Sequence, residues 1–219
     1  MSARDEVLAR IRAALAGGAD SGDRADAVEI AESGRGEAPG YRLSSGRTGA
    51  ELVGLFTERV RDYGAAVREC GPDAVPAEAA AALAARGARR VLVPPGLDLA
   101  GAVGGAELVV DDGLSAAELD RFDAVVTMAA AAIAETGTIV LDGGPGQGRR
   151  ALSLVPDYHL CIVAGGQVVG LVTEAVAALS PDRPLTWISG PSATSDIELD
   201  RVQGVHGPRT LEVILVIGE

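Results

Sequence analysis

Lysine is absent from all 219 residues, so the positive charge rests on 19 arginines set against 31 acidic residues. Without a side-chain amine the chain cannot form a Schiff base, and it cannot supply the lysine of a Walker-type phosphate loop. The formal net charge of −12 disfavours non-specific binding to nucleic acid or anionic membranes, because both need a basic surface. Arg86, Arg89 and Arg90 form one small basic group and Arg149 with Arg150 another; both read as solvated surface. The two cysteines, Cys70 and Cys161, are too far apart for a CxxC pair. They make neither a disulfide framework nor the cysteine quartet of an iron–sulfur cluster. No GxGxxG follows a strand-like run, so no cofactor is expected in this chain. No run approaches the roughly 18 apolar residues of a membrane span. The amphipathic start lacks the apolar core of a targeting signal, and the expected compartment is the reducing cytoplasm.

What is present is small and apolar: 47% hydrophobic residues with only 3% aromatic, and 29 glycines. That balance fits an α/β protein packed through small side chains, and the length suits one sizeable core with or without an appendage. Val7, Leu8, Ile11, Ala14 and Leu15 share one face of a predicted first helix, with Ser2 as cap and Asp5 in its first turn. Its apolar face is a candidate surface for docking or homo-oligomer formation. Residues 17–47 carry Gly, Ser, Asp and Glu with almost no apolar period and read as a mobile linker. The expected division is therefore a helix and linker over residues 1–47 and one α/β domain over 48–219.

From Thr48 onward helices and strands alternate. Thr48 and Glu51 spell a capping box, and Leu52, Val53, Phe56, Val60 and Tyr63 give a helical stripe that Gly64 can end. A strand is expected near 65–69, a helix from Pro76 to before Gly87 and a buried strand over 90–93. Further strands are read at 107–110, 124–128, 138–141, 158–164, 185–188 and 211–217. Ser115 and Glu118 can cap a short helix, and 172–179 reads as another. Ala129 to Ala132 reads as tight packing, 143–148 as a flexible glycine loop and Gly165-Gly166 as a hairpin-like turn. The alternation predicts a three-layer α/β/α sandwich with a mixed sheet.

Three polar motifs anchored by glycine follow apolar runs in the last third of the chain. In the first, Glu135 precedes Thr136, Gly137 and Thr138. A carboxylate there can act as a general base or nucleophile, or it can cap exposed amides at a turn. The second joins Gly190, Pro191 and Ser192 to Thr194, Asp196 and Glu198; its hydroxyls and amides can cradle an anion or simply cap a helix. In the third, His206 and Gly207 stand ahead of the last strand, where an imidazole can shuttle a proton or bond a carbonyl. His159, inside an apolar strand, reads as structural. A zinc site from His206, Asp196, Glu198 and Cys161 lacks paired ligand spacing, so no metal is expected.

The order and spacing of these motifs resemble the LUD domain, and within it the lactate-utilization protein C group, most continuously over 123–216. The resemblance implies the fold shared by sugar-phosphate isomerases and coenzyme A transferases. It also implies a bacterial three-protein system that oxidises L-lactate to pyruvate, in which this member lacks redox centres and iron–sulfur partner proteins carry the electrons. The expected catalytic residues are then Glu135 and His206, with the other motif residues holding a small carboxylate ligand. One position departs from the family: Ala193 stands where an arginine is common, so an anion contact is lost unless Arg149, Arg201 or Arg209 replaces it. A stand-alone acyl-transferase or hydrolase using Glu135 is the alternative.

Overall fold

The computed structural model describes residues 6–10, 42–99, 105–194, 202–203 and 206–218. Contacts divide the chain at Arg42 and Leu43. In the first unit, residues 6–10 are helical and Arg10 pairs with Glu6 one turn away at 2.7 Å. Residues 17–41 of the expected linker lie outside the described residues. Its last residues are held: the Ser45 amide donates to Glu174 Oε1 at 2.8 Å.

The second unit opens with α1 (Gly49–Asp62), whose N-terminus carries the reciprocal capping box of Thr48 and Glu51. It continues through β1 (Ala66–Cys70), α2 (Val75–Ala85), β2 (Arg90–Val93), β3 (Glu107–Val110), α3 (Ala116–Leu119) and β4 (Ala124–Met128). Then come β5 (Ala131–Ile133), β6 (Thr138–Leu141), α4 (Arg150–Leu154), β7 (Tyr158–Ala164), β8 (Val168–Val169) and α5 (Val172–Ala178). The last strands are β9 (Thr186–Ile188), β10 (Ala193–Thr194), β11 (Val202–Gln203) and β12 (Thr210–Val216).

The expected α/β class holds, and the strands divide between sheets. Six run β1-β12-β7-β4-β2-β3, and every pairing in that sheet is parallel. Parallel sheets need both faces covered. On one face α2 contributes Ala79, Ala82 and Leu83 to a core with Val91, Val126 and Leu160. On the other, Phe56 and Val60 of α1 meet Cys161, Val163, Val213 and Leu215. The mixed character sits in a second sheet, β8-β5-β6-β9, where β5–β8 is parallel and β5–β6 and β6–β9 are antiparallel. Ala132 and Ile139 of that sheet join the α1 core. Ala131, Ile133 and Val140 face the other way and pack on Ala175 of α5. β10 and β11 form a separate antiparallel pair.

The alanine run is where the chain changes sheets. Ala129 N donates to Ile162 O of β7 at 3.1 Å, and Ala130 N donates to Val140 O of β6 at 2.8 Å. Neighbouring residues thus belong to different sheets, and Ala129 and Ala132 are buried at the join; larger side chains there would hold the sheets apart. Gly165-Gly166 is likewise not a hairpin turn, because β7 and β8 lie in different sheets. Gln167 fixes the crossing, accepting from Ala164 N at 2.9 Å and donating to Ala129 O at 2.8 Å. The loop 143–148 is packed instead of free: Met128 N donates to Gly146 O at 2.7 Å. A Cβ on Gly146, whose φ is +71°, would stand 2.8 Å from Met128 Sδ, so glycine serves close approach there. Among the described residues no helix is long and apolar enough to cross a membrane.

Candidate functional site

Helix α1 backs the first two motifs. Gly137 turns the chain between β5 and β6 at φ +56°, and a Cβ there would sit 2.8 Å from Arg59 Cβ. Gly190 follows β9 at φ +84°, where a Cβ would stand 2.7 Å from Tyr63 Cβ. Only glycine combines this conformation with so close an approach. Hydroxyls join the two turns: Thr136 Oγ1 lies 2.7 Å from Thr138 Oγ1, which lies 2.8 Å from Ser189 Oγ. The second and third motifs are stitched together by the backbone. Ser192 N donates to Pro208 O at 2.8 Å, and His206 N donates to Ser192 Oγ at 3.1 Å.

The second and third motifs wall a cleft of about 230 Å³ beside the start of β7 and β12. Ser189, Gly190, Pro191 and Ser192 form one side, and His206, Gly207 and Pro208 another. Ser153 and Leu154 of α4 close it, with His159 and Leu211 at the base. A second depression, of about 380 Å³, shares Ser153 and Thr186 with the cleft and reaches Gly143, Gly148 and Arg149.

His159 is the residue whose position could not be read from sequence. It is 1% exposed, its Nε2 lies 2.8 Å from Thr127 Oγ1, and it lines the cleft. Among the described residues no buried side-chain nitrogen or oxygen lacks a partner. Burial pushes the imidazole down to about 4, so the ring is neutral near pH 7. Beneath it, burial raises the Cys161 thiol to about 12. The only sequence signal for this role was a histidine at the second position of an otherwise apolar strand.

Of the expected site residues, Gly190, Pro191, Ser192, His206 and Gly207 line the cleft together. Thr136 and Thr138 do not line it; they are joined by hydroxyl contacts to Ser189, which does. Glu135 is exposed at the β5–β6 turn, its amide donating to Gly170 O at 3.1 Å; it is not among the residues lining the cleft. The Thr194 side chain, Asp196 and Glu198 lie outside the described residues, as does Arg201. The other two arginines considered as replacements at Ala193 are engaged elsewhere. Arg209 holds both oxygens of Asp157 at 2.7 Å. Arg149 clasps Asp111 at 2.6 and 2.9 Å and also bonds Leu114 O. Those guanidiniums hold the Asp157 and Asp111 carboxyls below their ordinary range. Among the described residues no cluster of three His, Cys, Asp or Glu side chains could hold a metal ion.

A family model described as the LUD domain matches residues 115–216, a span that contains the described residues lining the cleft. A protein named lactate utilization protein C from Deinococcus radiodurans is 50% identical over 183 residues, covering 81% of this chain and 85% of that protein. Another of that name, from an Exiguobacterium species, is 38% identical over 104 residues and covers 44% and 45% of the two chains. The crystal structure of a DUF162 family protein from Deinococcus radiodurans superposes with a TM-score of 0.67 at 45% identity, covering 78% of this chain and 99% of that one.

Proposed function

Because the chain belongs to the LUD domain family, we propose that it serves in bacterial lactate utilization, as a subunit without redox centres whose cleft holds a small carboxylate. The identity of 50% with a lactate utilization protein C, across 85% of that protein, carries the first half of this reading. The cleft supports the second. Its volume of about 230 Å³ falls below that of drug-sized pockets and suits a molecule of a few heavy atoms. With two cysteines in the whole chain, electrons taken from lactate would pass to iron–sulfur partner proteins. On this reading the protein works in the cytoplasm beside them, and its own residues bind, orient and exclude water.

Deleting the gene and returning it on a plasmid tests the role. Growth on L-lactate as sole carbon source should be lost and restored while growth on pyruvate is unaffected, and the tagged protein should recover iron–sulfur proteins. Unimpaired growth on lactate would contradict the proposal. Turnover of acyl substrates by the isolated chain, abolished by Glu135→Gln, would replace it with the transferase or hydrolase reading.

A further inference from the structure

Strands of the parallel sheet end at a place that the cleft does not use. Pro95 lies just beyond β2 and Asp111 directly follows β3. The 143–148 loop is tied to the last residue of β4 by the bond from Met128 N to Gly146 O. In the order β7-β4-β2-β3, the next strand of the sheet after β2 is β3, on one side, and the next after β4 is β7, on the other. The carboxyl ends of parallel strands at such a reversal are where open α/β sheets hold ligands. A depression of about 690 Å³ opens there, lined by Pro95, Pro145 and Pro184 together with Arg149 and Arg183. We propose that it is a second binding site, for a small phosphorylated molecule whose phosphate is gripped by the two guanidiniums.

Both arginines are oriented without being used up. Arg149 gives Nε and Nη2 to Asp111 at 2.6 and 2.9 Å and bonds Leu114 O as well, and Arg183 gives Nη1 to Asp142 at 2.9 Å. Among the described residues these bonds leave Nη1 of Arg149, and Nε and Nη2 of Arg183, with hydrogens to donate. The carboxylates are the buried partners, with side chains 5% and 12% exposed against 40% and 49% for Arg149 and Arg183. Their oxygens also accept the amides of Gly113, Leu114 and Gly144. An incoming anion therefore meets the guanidiniums, already fixed by one edge, and not the acids behind them.

Phosphate suits this pair better than a carboxylate does. A planar guanidinium takes two phosphate oxygens at once, and a phosphate monoester carries a charge close to −2 at neutral pH, enough for two arginines. Gly144 sets the distance between loop and grip: a Cβ there would stand 2.8 Å from Asp142 Oδ1 and 2.9 Å from Arg183 Nη1. The volume lies in the range of small-molecule sites, and three rigid proline rings on the walls offer a surface to the organic part of an ester.

Calorimetry and phosphorus-31 NMR on the full-length chain test this, with phenyl phosphate, inorganic phosphate and phenol as probes at one ionic strength. Phenyl phosphate should bind and phenol should not, and inorganic phosphate should compete with lower affinity. Arg183→Gln removes an exposed charge without touching the core and should weaken phenyl phosphate by about tenfold or more. Gly144→Ala keeps every charge and, because Gly144 is not at positive φ, suits the backbone; its methyl should displace the Arg183 guanidinium and weaken binding too. Arg61→Gln, on α1, should leave the affinity unchanged. No binding of phenyl phosphate, or binding that survives both changes in the depression, would overturn the proposal. An equal loss in Arg61→Gln would overturn it as well, by showing a general attraction to positive charge. Inorganic phosphate bound as tightly as the ester would overturn the assignment to a phosphorylated molecule.

Discussion

Phe56→Ala is expected to cost about 3–5 kcal/mol of stability, the range for truncating a fully buried aromatic side chain. Phe56 is 0% exposed and joins α1 to both sheets, sharing a core with Val163 and Leu215 on one side and Ala132 and Ile139 on the other. Several of its neighbours are alanines, which have no side-chain reach to fill the vacated space, so the cavity would persist. For a chain of this size the melting temperature should fall by roughly 6–20 °C. The site should suffer as well, because the same helix backs Gly137 through Arg59 and Gly190 through Tyr63. Val110→Ala is the control: Val110 is 54% exposed, and its change should stay within about 0.5 kcal/mol. Urea denaturation of the three proteins gives the answer. A loss below about 1 kcal/mol at Phe56 would mean that α1 does not join the two sheets as described.

Acidification should destabilise the fold well before the carboxylates titrate, and His159 is the reason. Unfolded, its imidazole takes up a proton near pH 6.5, whereas in the fold burial lowers that value to about 4. Between these limits the unfolded chain binds the extra proton, so stability rises with pH and falls as pH drops through the window. The full loss by pH 4 is about 3 kcal/mol. Asp111, held low chiefly by Arg149, and Asp123, held low by the amides of Arg90 and Arg89, act later. Their contribution is present above the ordinary carboxylate range and is lost as pH falls through their lowered values. Denaturation curves from pH 7 to pH 4.5 should therefore slope less steeply for His159→Phe than for the natural chain. Parallel slopes would show that His159 charges in place and is not sealed in the core.

Local rules made much of the fold readable. The Thr48–Glu51 box forms with two 2.8 Å bonds to Glu51 Oε2, and the strands at Arg90–Val93, Glu107–Val110, Ala124–Met128, Thr138–Leu141 and Tyr158–Ala164 lie where β-branched and apolar runs put them. Division into two sheets was not readable. It depends on Ala129 and Ala130 bonding to different strands, and an alanine run carries no periodic signal for that. Val168–Val169 and Arg150–Leu154 are too short to show a period at all. The same limit applies to the site. Glycine beside hydroxyls marked the turns at Gly137 and Gly190, since positive φ at a close approach leaves a trace in sequence. His159 left only its place in an apolar strand, because its partner Thr127 lies on the neighbouring strand and most of its cleft is walled by segments 27 to 52 residues further on.

The most direct test of the carboxylate cleft is a crystal structure of the full-length chain grown with L-lactate. Density for the acid should lie between Ser192 and His206, in the cleft that His159 also lines. Density held instead at the 143–148 loop, or a cleft containing only water at saturating lactate, would contradict it.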